Sequence, residues 1–224
     1  MSDNNTMTDE VILQVKGLKT YFHTDEGIVK AVDGITFDLH KGETVGIVGE
    51  SGSGKSVTNL SIMNLVQTPP GKIEGGEVLF NGEDITKYNS KQLQEFRRTK
   101  AAMVFQHFGL MDNRNVLENT YYGLEIRGVP LKERTEKALE MLAMVGLEGW
   151  ESKKISELSG GMKQRVGIAR ALTNDPDILL MDEAFSALDP LVKNDLQFEL
   201  LRIQEKMGKT IIFITPDINE AFRL

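Results

Sequence analysis

The sequence predicts an α/β protein whose core is a three-layer arrangement around a mostly parallel sheet. Three observations predict it. Residues 44–48, 101–105, 178–181 and 210–214 are short apolar runs. They lack polar alternation, as strands covered on both faces do. Segments of helical spacing lie between them, which is the pattern of a sheet with helices on its faces. A glycine-rich loop joins the first run to the helix that follows it.

In chain order, residues 11–15 read as a first strand, followed by a turn at Asp25-Glu26-Gly27. Residues 28–39 contain alternating stretches and read as one or two antiparallel strands, an N-terminal antiparallel β subdomain. Residues 57–66 read as a mostly buried helix, ended by Pro69-Pro70-Gly71. Residues 77–80 are a short strand before Asn81-Gly82, a hairpin signal. Residues 91–98 form a charged helix. From about 107 to 173 the pattern is helical, with segments at 116–122, 131–145 and 159–173 and a Gly128-Val129-Pro130 break, so a helical subdomain is inserted there. Residues 191–207 are a long amphipathic helix before the last strand.

Composition bounds the function. The chain has 224 residues, 26 basic and 33 acidic side chains and a formal net charge of −7, which gives no electrostatic case for a nucleic-acid partner. It has no cysteine, hence no disulfide and no thiolate metal site. No apolar run approaches the roughly 20 residues of a membrane span. Residues 1–10 are polar and acidic, carry no signal-peptide pattern and read as a mobile tail.

The loop is Gly49-Glu50-Ser51-Gly52-Ser53-Gly54-Lys55-Ser56, the G-x-x-x-x-G-K-[ST] pattern of a phosphate-binding P-loop. Its glycines let backbone N–H groups point inward at phosphate oxygens, and the helix that follows adds its positive end. Lys55 can reach the terminal phosphates, and the Ser56 hydroxyl can ligate Mg²⁺. The run at 178–181 delivers Asp182 and Glu183 to the carboxyl end of its strand, where ligands bind in open α/β sheets. Asp182 is placed to hold Mg²⁺ and Glu183 to orient or deprotonate a water. Leu158-Ser159-Gly160-Gly161 opens a helix. A serine and two glycines there make another anion-binding helix N-terminus, but by itself the segment reads better as a plain capped helix start, with Ser159 as N-cap.

The order of the P-loop, Gln106, Leu158-Ser159-Gly160-Gly161, the 178–183 segment and Ser186-Ala187-Leu188-Asp189 resembles the nucleotide-binding subunit of ABC transporters, over about residues 11–224. The resemblance implies a P-loop NTPase fold, ATP and Mg²⁺ as cofactors, and ATP hydrolysis. It implies that residues 49–56 and the adjoining Val57 cradle the phosphates. Phe22 takes the adenine-stacking position, with Tyr21 as fallback. Gln106 links metal and attacking water to a membrane partner. Asp182 is the metal-binding aspartate, Glu183 the general base and Lys55 a catalytic cation. Ser159, Gly160 and Gly161 contact ATP held by a second subunit, and Asp189 lies at that interface. The implied partners are a second nucleotide-binding subunit, in a homodimer or heterodimer, and transmembrane permease subunits. The implied location is peripheral, on the cytoplasmic face of the cell membrane.

Three features depart from that pattern. The family places a γ-phosphate-contacting histidine after its last core strand, and here the position is Pro216. Proline has neither an imidazole nor an N–H, so hydrolysis is expected to be weak. The chain is expected to be C-terminally short, since it stops at Leu224. Finally, residues 11–100 look like oligopeptide or dipeptide importer ATPases, and residues from 103 onward look like glycine betaine/proline importer ATPases, a hybrid pattern. The rival expectation is an ATP-binding dimerisation module with little turnover. His23, His40 and His107 are far apart in sequence and suggest no metal site.

Overall fold

The computed structural model describes residues 10–186 and 188–223. The tail expected at 1–10 therefore lies, but for Glu10, outside the described residues. Among the described residues, eight strands form two sheets. The first sheet holds β1 (Val11–Thr24), β2 (Gly27–His40), β4 (Gly71–Phe80) and β5 (Glu83–Asp84), all antiparallel, in the order β2-β1-β4-β5. The second holds β3 (Thr44–Val48), β6 (Ala101–Val104), β7 (Ile178–Asp182) and β8 (Thr210–Thr215), all parallel, in the order β3-β8-β7-β6.

β6, β7 and β8 are apolar over most of their length because both their faces are covered, whereas β3, at the sheet edge, leaves Gly46 and Val48 exposed. On β7, Ile178 and Leu180 enter the core shared with the antiparallel sheet, which also holds Leu13, Val15, Val78 and Ile62. Leu179 and Met181 point the other way, into a core built with helices α3 (Val116–Ile126), α4 (Leu131–Met144), α5 (Gly160–Thr173) and α6 (Pro190–Met207). β8 repeats the division: Ile212 faces the first core, and Ile211 and Phe213 the second. Trp150 packs against the second core and Tyr121 is buried.

Several elements differ from the sequence expectation, each for a local reason. β1 runs on to Thr24 because the bulge at Gly17 (φ +55°) breaks the alternation without ending the strand, and Thr36 Oγ1 accepts the Gly17 N–H at 2.9 Å. β4 begins at Gly71 rather than 77, since Gly75 pairs with β1 although it adds no apolar side chain to the pattern. The helix expected at 57–66 is α1 (Lys55–Ile62). It starts inside the glycine loop and stops early because Asn64 turns left-handed (φ +49°). The Arg97 guanidinium, from α2 (Ser90–Thr99), satisfies the freed Met63 and Asn64 carbonyls at 2.9 and 2.8 Å. Phe105, expected in a buried strand, lies beyond β6 and is 40% exposed. A short helix α7 (Ile218–Ala221), not foreseen, follows β8.

Candidate functional site

Parallel pairing decides where the chemistry collects. Val48 pairs with Thr215, Asp182 with Ile214, and Val104 with Met181. All four strands thus end on one edge of the sheet. The connections leaving that edge carry the glycine loop after β3, Gln106 after β6, Glu183 after β7 and Pro216 after β8. This is the ligand-binding edge of an open α/β sheet.

The loop has a shape that glycine alone permits at one point. Gly54 caps α1 in the left-handed region (φ +87°), and a Cβ there would lie 1.9 Å from the Ala31 carbonyl oxygen of β2. Lys55 follows at the first position of α1 and is only 6% exposed. Burying an ammonium is costly unless acceptors surround it. Its Nζ donates to the Glu50 carbonyl at 2.8 Å and lies 3.6 Å from Glu183 Oε1. Next to it, Ser56 Oγ donates to Asp182 Oδ1 at 2.7 Å. Val57 packs its partly buried side chain on the core.

Burial pushes the Asp182 carboxyl above its ordinary range; the Ser56 hydrogen bond opposes this, the Glu183 charge adds to it, and the Lys55 charge opposes it. Such a carboxylate gains from a nearby cation. Ser56 and Asp182 supply hard oxygen donors, as Mg²⁺ requires. Among the described residues no group of three or more His, Cys, Asp or Glu could hold a metal. The donor set therefore fits an ion that takes its other ligands from phosphate and water, the usual manner of Mg²⁺ binding.

Glu183 sits in the left-handed region (φ +45°), sparse for a non-glycine residue. Its N–H donates to the Ile214 carbonyl at 3.0 Å, and its own carbonyl accepts from Ser186 Oγ at 2.8 Å. Gln106 Nε2 donates to the same Ser186 Oγ at 3.1 Å. The structure thereby brings together residues 49–56, Asp182, Glu183 and Gln106, with Ser186, which the sequence reading quoted only as the start of the 186–189 motif and gave no role. A further signal for its role is its place three residues after Glu183, at hydroxyl-to-carbonyl turn spacing.

The other expected site residues sit elsewhere. Ser159 caps α5, accepting from the Met162 N–H at 3.3 Å. Gly161 lies where a Cβ would come within 2.5 Å of Val192 Cγ1, so α5 opens tightly against the start of α6. Gly160 has Leu188 as its neighbour at 3.5 Å by the same construction. Asp189 caps α6 through the Leu191 and Val192 N–H groups at 3.2 and 3.1 Å. Phe22 pairs with Gly71 in the antiparallel sheet. Tyr21 has its hydroxyl committed to Asp33 at 2.6 Å. Among the described residues, neither Phe22 nor 159–161 shares a hydrogen bond or ion pair with the loop at 49–56. Pro216 is exposed at the sheet edge. Beside it, Thr215 Oγ1 donates to Glu220 Oε2 at 2.6 Å and accepts the Asp217 N–H at 3.0 Å.

With this geometry described, similarity to known proteins follows. The family model described as ABC transporter matches residues 32–186. The chain is 53% identical over 198 residues to the glycine betaine transport ATP-binding protein OpuAA of Bacillus subtilis (strain 168), covering 88% of this chain and 46% of that protein. It is 48% identical over 198 residues to the glycine betaine/proline betaine transport system ATP-binding protein ProV of Escherichia coli (strain K12), covering 88% and 48%. The chain thus spans about half the length of the curated relatives it matches. Among solved structures, a dimeric bacterial ABC transporter cassette superposes with a TM-score of 0.84 at 34% identity, covering 94% of this chain and 90% of that one. A post-hydrolysis cassette dimer bound to ADP and Pi superposes with the same TM-score.

Proposed function

The chain belongs to the ABC transporter family as an ATP-binding domain, and from that premise we propose that it binds and hydrolyses ATP to energise a solute importer. The observation that carries this reading is the pairing across the sheet edge. Lys55 faces Glu183 at 3.6 Å, and Ser56 faces Asp182 at 2.7 Å.

In this reading, backbone N–H groups of residues 49–57 bind the phosphates and Lys55 holds the terminal one. Ser56 and Asp182 hold Mg²⁺, with Gln106 beside it. Bound Mg²⁺ supplies charge neutralisation on the phosphoryl oxygens. Glu183 accepts a proton from the attacking water as the water oxygen bonds to the γ-phosphorus and the bridging oxygen leaves with ADP. Ser159, Gly160 and Gly161 serve the ATP of a second subunit, with Asp189 at the junction and Phe22 against the adenine. Tyr21 is the weaker stacking candidate, since Lys30 Nζ already lies over its ring, 5.4 Å from the centroid. The dimeric state of the solved cassette supports this arrangement.

The domain is taken as residues 11–224 with its helical subdomain at about 107–173. The glycine betaine class of solute is favoured by the named relatives. Among the described residues no helix is long and apolar enough to cross a membrane. Attachment to the cytoplasmic membrane face would then run through permease subunits.

A second reading, an ATP-binding dimerisation module with little turnover, is favoured by Pro216. The site keeps its general base but has no imidazole or N–H at that position, and such a lost contact typically lowers the rate by about 10²–10³.

Equilibrium binding of ATP with Mg²⁺ to the chain and to Lys55→Met tests the reading. Saturable binding, weakened by about 10- to 10²-fold in the variant, is expected from loss of a charge-assisted contact. Absence of binding in the parent chain rejects it.

A further inference from the structure

We propose that Ser186 is a positioning residue that ties Gln106 to the backbone of Glu183, so that the two move as one unit. The proposal rests on the reading of Glu183 as general base. The Ser186 hydroxyl has one proton and two lone pairs. It gives the proton to the Glu183 carbonyl at 2.8 Å and accepts from Gln106 Nε2 at 3.1 Å. Both bonds are compatible at once, and together they join two connections that leave different strands.

Glu183 depends on such support. Its left-handed backbone (φ +45°) persists only where its surroundings fix it. Besides Ser186 Oγ, the Ser186 N–H also donates to the Glu183 carbonyl, at 3.1 Å. On the far side of Gln106, the Arg170 guanidinium donates to the carbonyls of Phe108 and Gly109 at 2.8 and 2.5 Å. Arg170 belongs to α5, whose first turn carries Ser159, Gly160 and Gly161. Contacts therefore run from α5 through Arg170, the 106–109 segment and Ser186 to Glu183. A displacement of α5 would reach the base along this surface route, without rearranging the sheet.

The test combines backbone hydrogen exchange, measured without nucleotide, with phosphate release by the Pro216→His form. Ser186→Ala is expected to speed exchange at both 183–186 and 105–109, and Ser186→Thr, which keeps the hydroxyl, to restore it. In the Pro216→His form, Ser186→Ala is expected to lower kcat by roughly 10- to 10²-fold with little change in KM, as misplacement of a reacting group does. A residue that only caps its own turn would change exchange at 183–186 alone. That result overturns the proposal. The exchange result needs no ATP, so it decides the Ser186 link even if the ATPase reading fails.

Discussion

Replacing Gly54 by alanine should damage the protein far more than the same change at Gly52. Both glycines are left-handed, at φ +87° and +83°. Alanine at either position pays the left-handed penalty, about 1 kcal/mol. The two differ in space. A Cβ at Gly52 meets nothing within 4 Å, whereas one at Gly54 lies 1.9 Å from the Ala31 carbonyl oxygen and 3.0 Å from its carbon. The neighbour is strand backbone, which has no rotamer to change. Relieving the clash requires a shift of the loop or of β2 by about 1 Å, and overpacking of this kind costs about 1–3 kcal/mol. Gly54→Ala should therefore lose about 2–4 kcal/mol against about 1 kcal/mol for Gly52→Ala. For a chain of this length that is a Tm fall of about 6–12 °C against about 3 °C. A shifted loop also misaims N–H groups, and each hydrogen bond lost to a charged phosphate weakens ATP binding by about 10- to 10²-fold. Thermal unfolding of both variants beside equilibrium ATP binding measures the two effects. Equal Tm shifts, or unimpaired binding by Gly54→Ala, would refute the close approach of loop and β2 as the reason for glycine.

Two further outcomes follow from the same structure. Ser56→Ala removes the hydroxyl facing Asp182 at 2.7 Å. The tightening of ATP binding by Mg²⁺, read against EDTA, should fall by about tenfold or more while the fold is retained; an unchanged Mg²⁺ effect would remove Ser56 from the metal site. Tyr88 donates to Glu83 Oε2 at 2.6 Å, and that bond, with burial, pushes the phenol up to about 12. A raised phenol keeps its proton longer in the folded state, so its contribution is fully present below about pH 10 and is lost as pH rises through about 12. Ultraviolet titration should show a tyrosine ionising near pH 12 that disappears in Tyr88→Phe and moves down in Glu83→Gln, beside Tyr21, which its hydrogen bond to Asp33 also holds above the ordinary value.

Legibility of the fold in the sequence varied with how each part is buried. β6, β7 and β8 were readable as apolar runs because helices and the antiparallel sheet cover both their faces, and β3 because its exposed residues, Gly46 and Val48, carry no polar side chain either. β1 and β4 were read too short because Gly17 shifts the register and Gly75 contributes no side chain to the alternation. The end of α1 was misplaced because the left-handed turn at Asn64 ends it, and the side chain that satisfies the freed carbonyls, Arg97, lies 34 residues from Met63. The site shows the same division. The glycine loop and the Asp182-Glu183 pair are local patterns whose residue types suffice. The Gln106–Ser186 bond joins residues 80 apart. Parallel register brings those strand ends together, and no spacing in the chain records it.

The most direct test of the central claim is steady-state phosphate release with Mg-ATP by the chain and by its Pro216→His form. The account expects both to bind ATP, and expects the histidine form to turn over about 10²–10³ times faster, since the residues at 49–56, Asp182 and Glu183 are already assembled and one contact is missing. Failure of the histidine form to release phosphate despite binding ATP would contradict the claim that this sheet edge is an ATP-hydrolysing site.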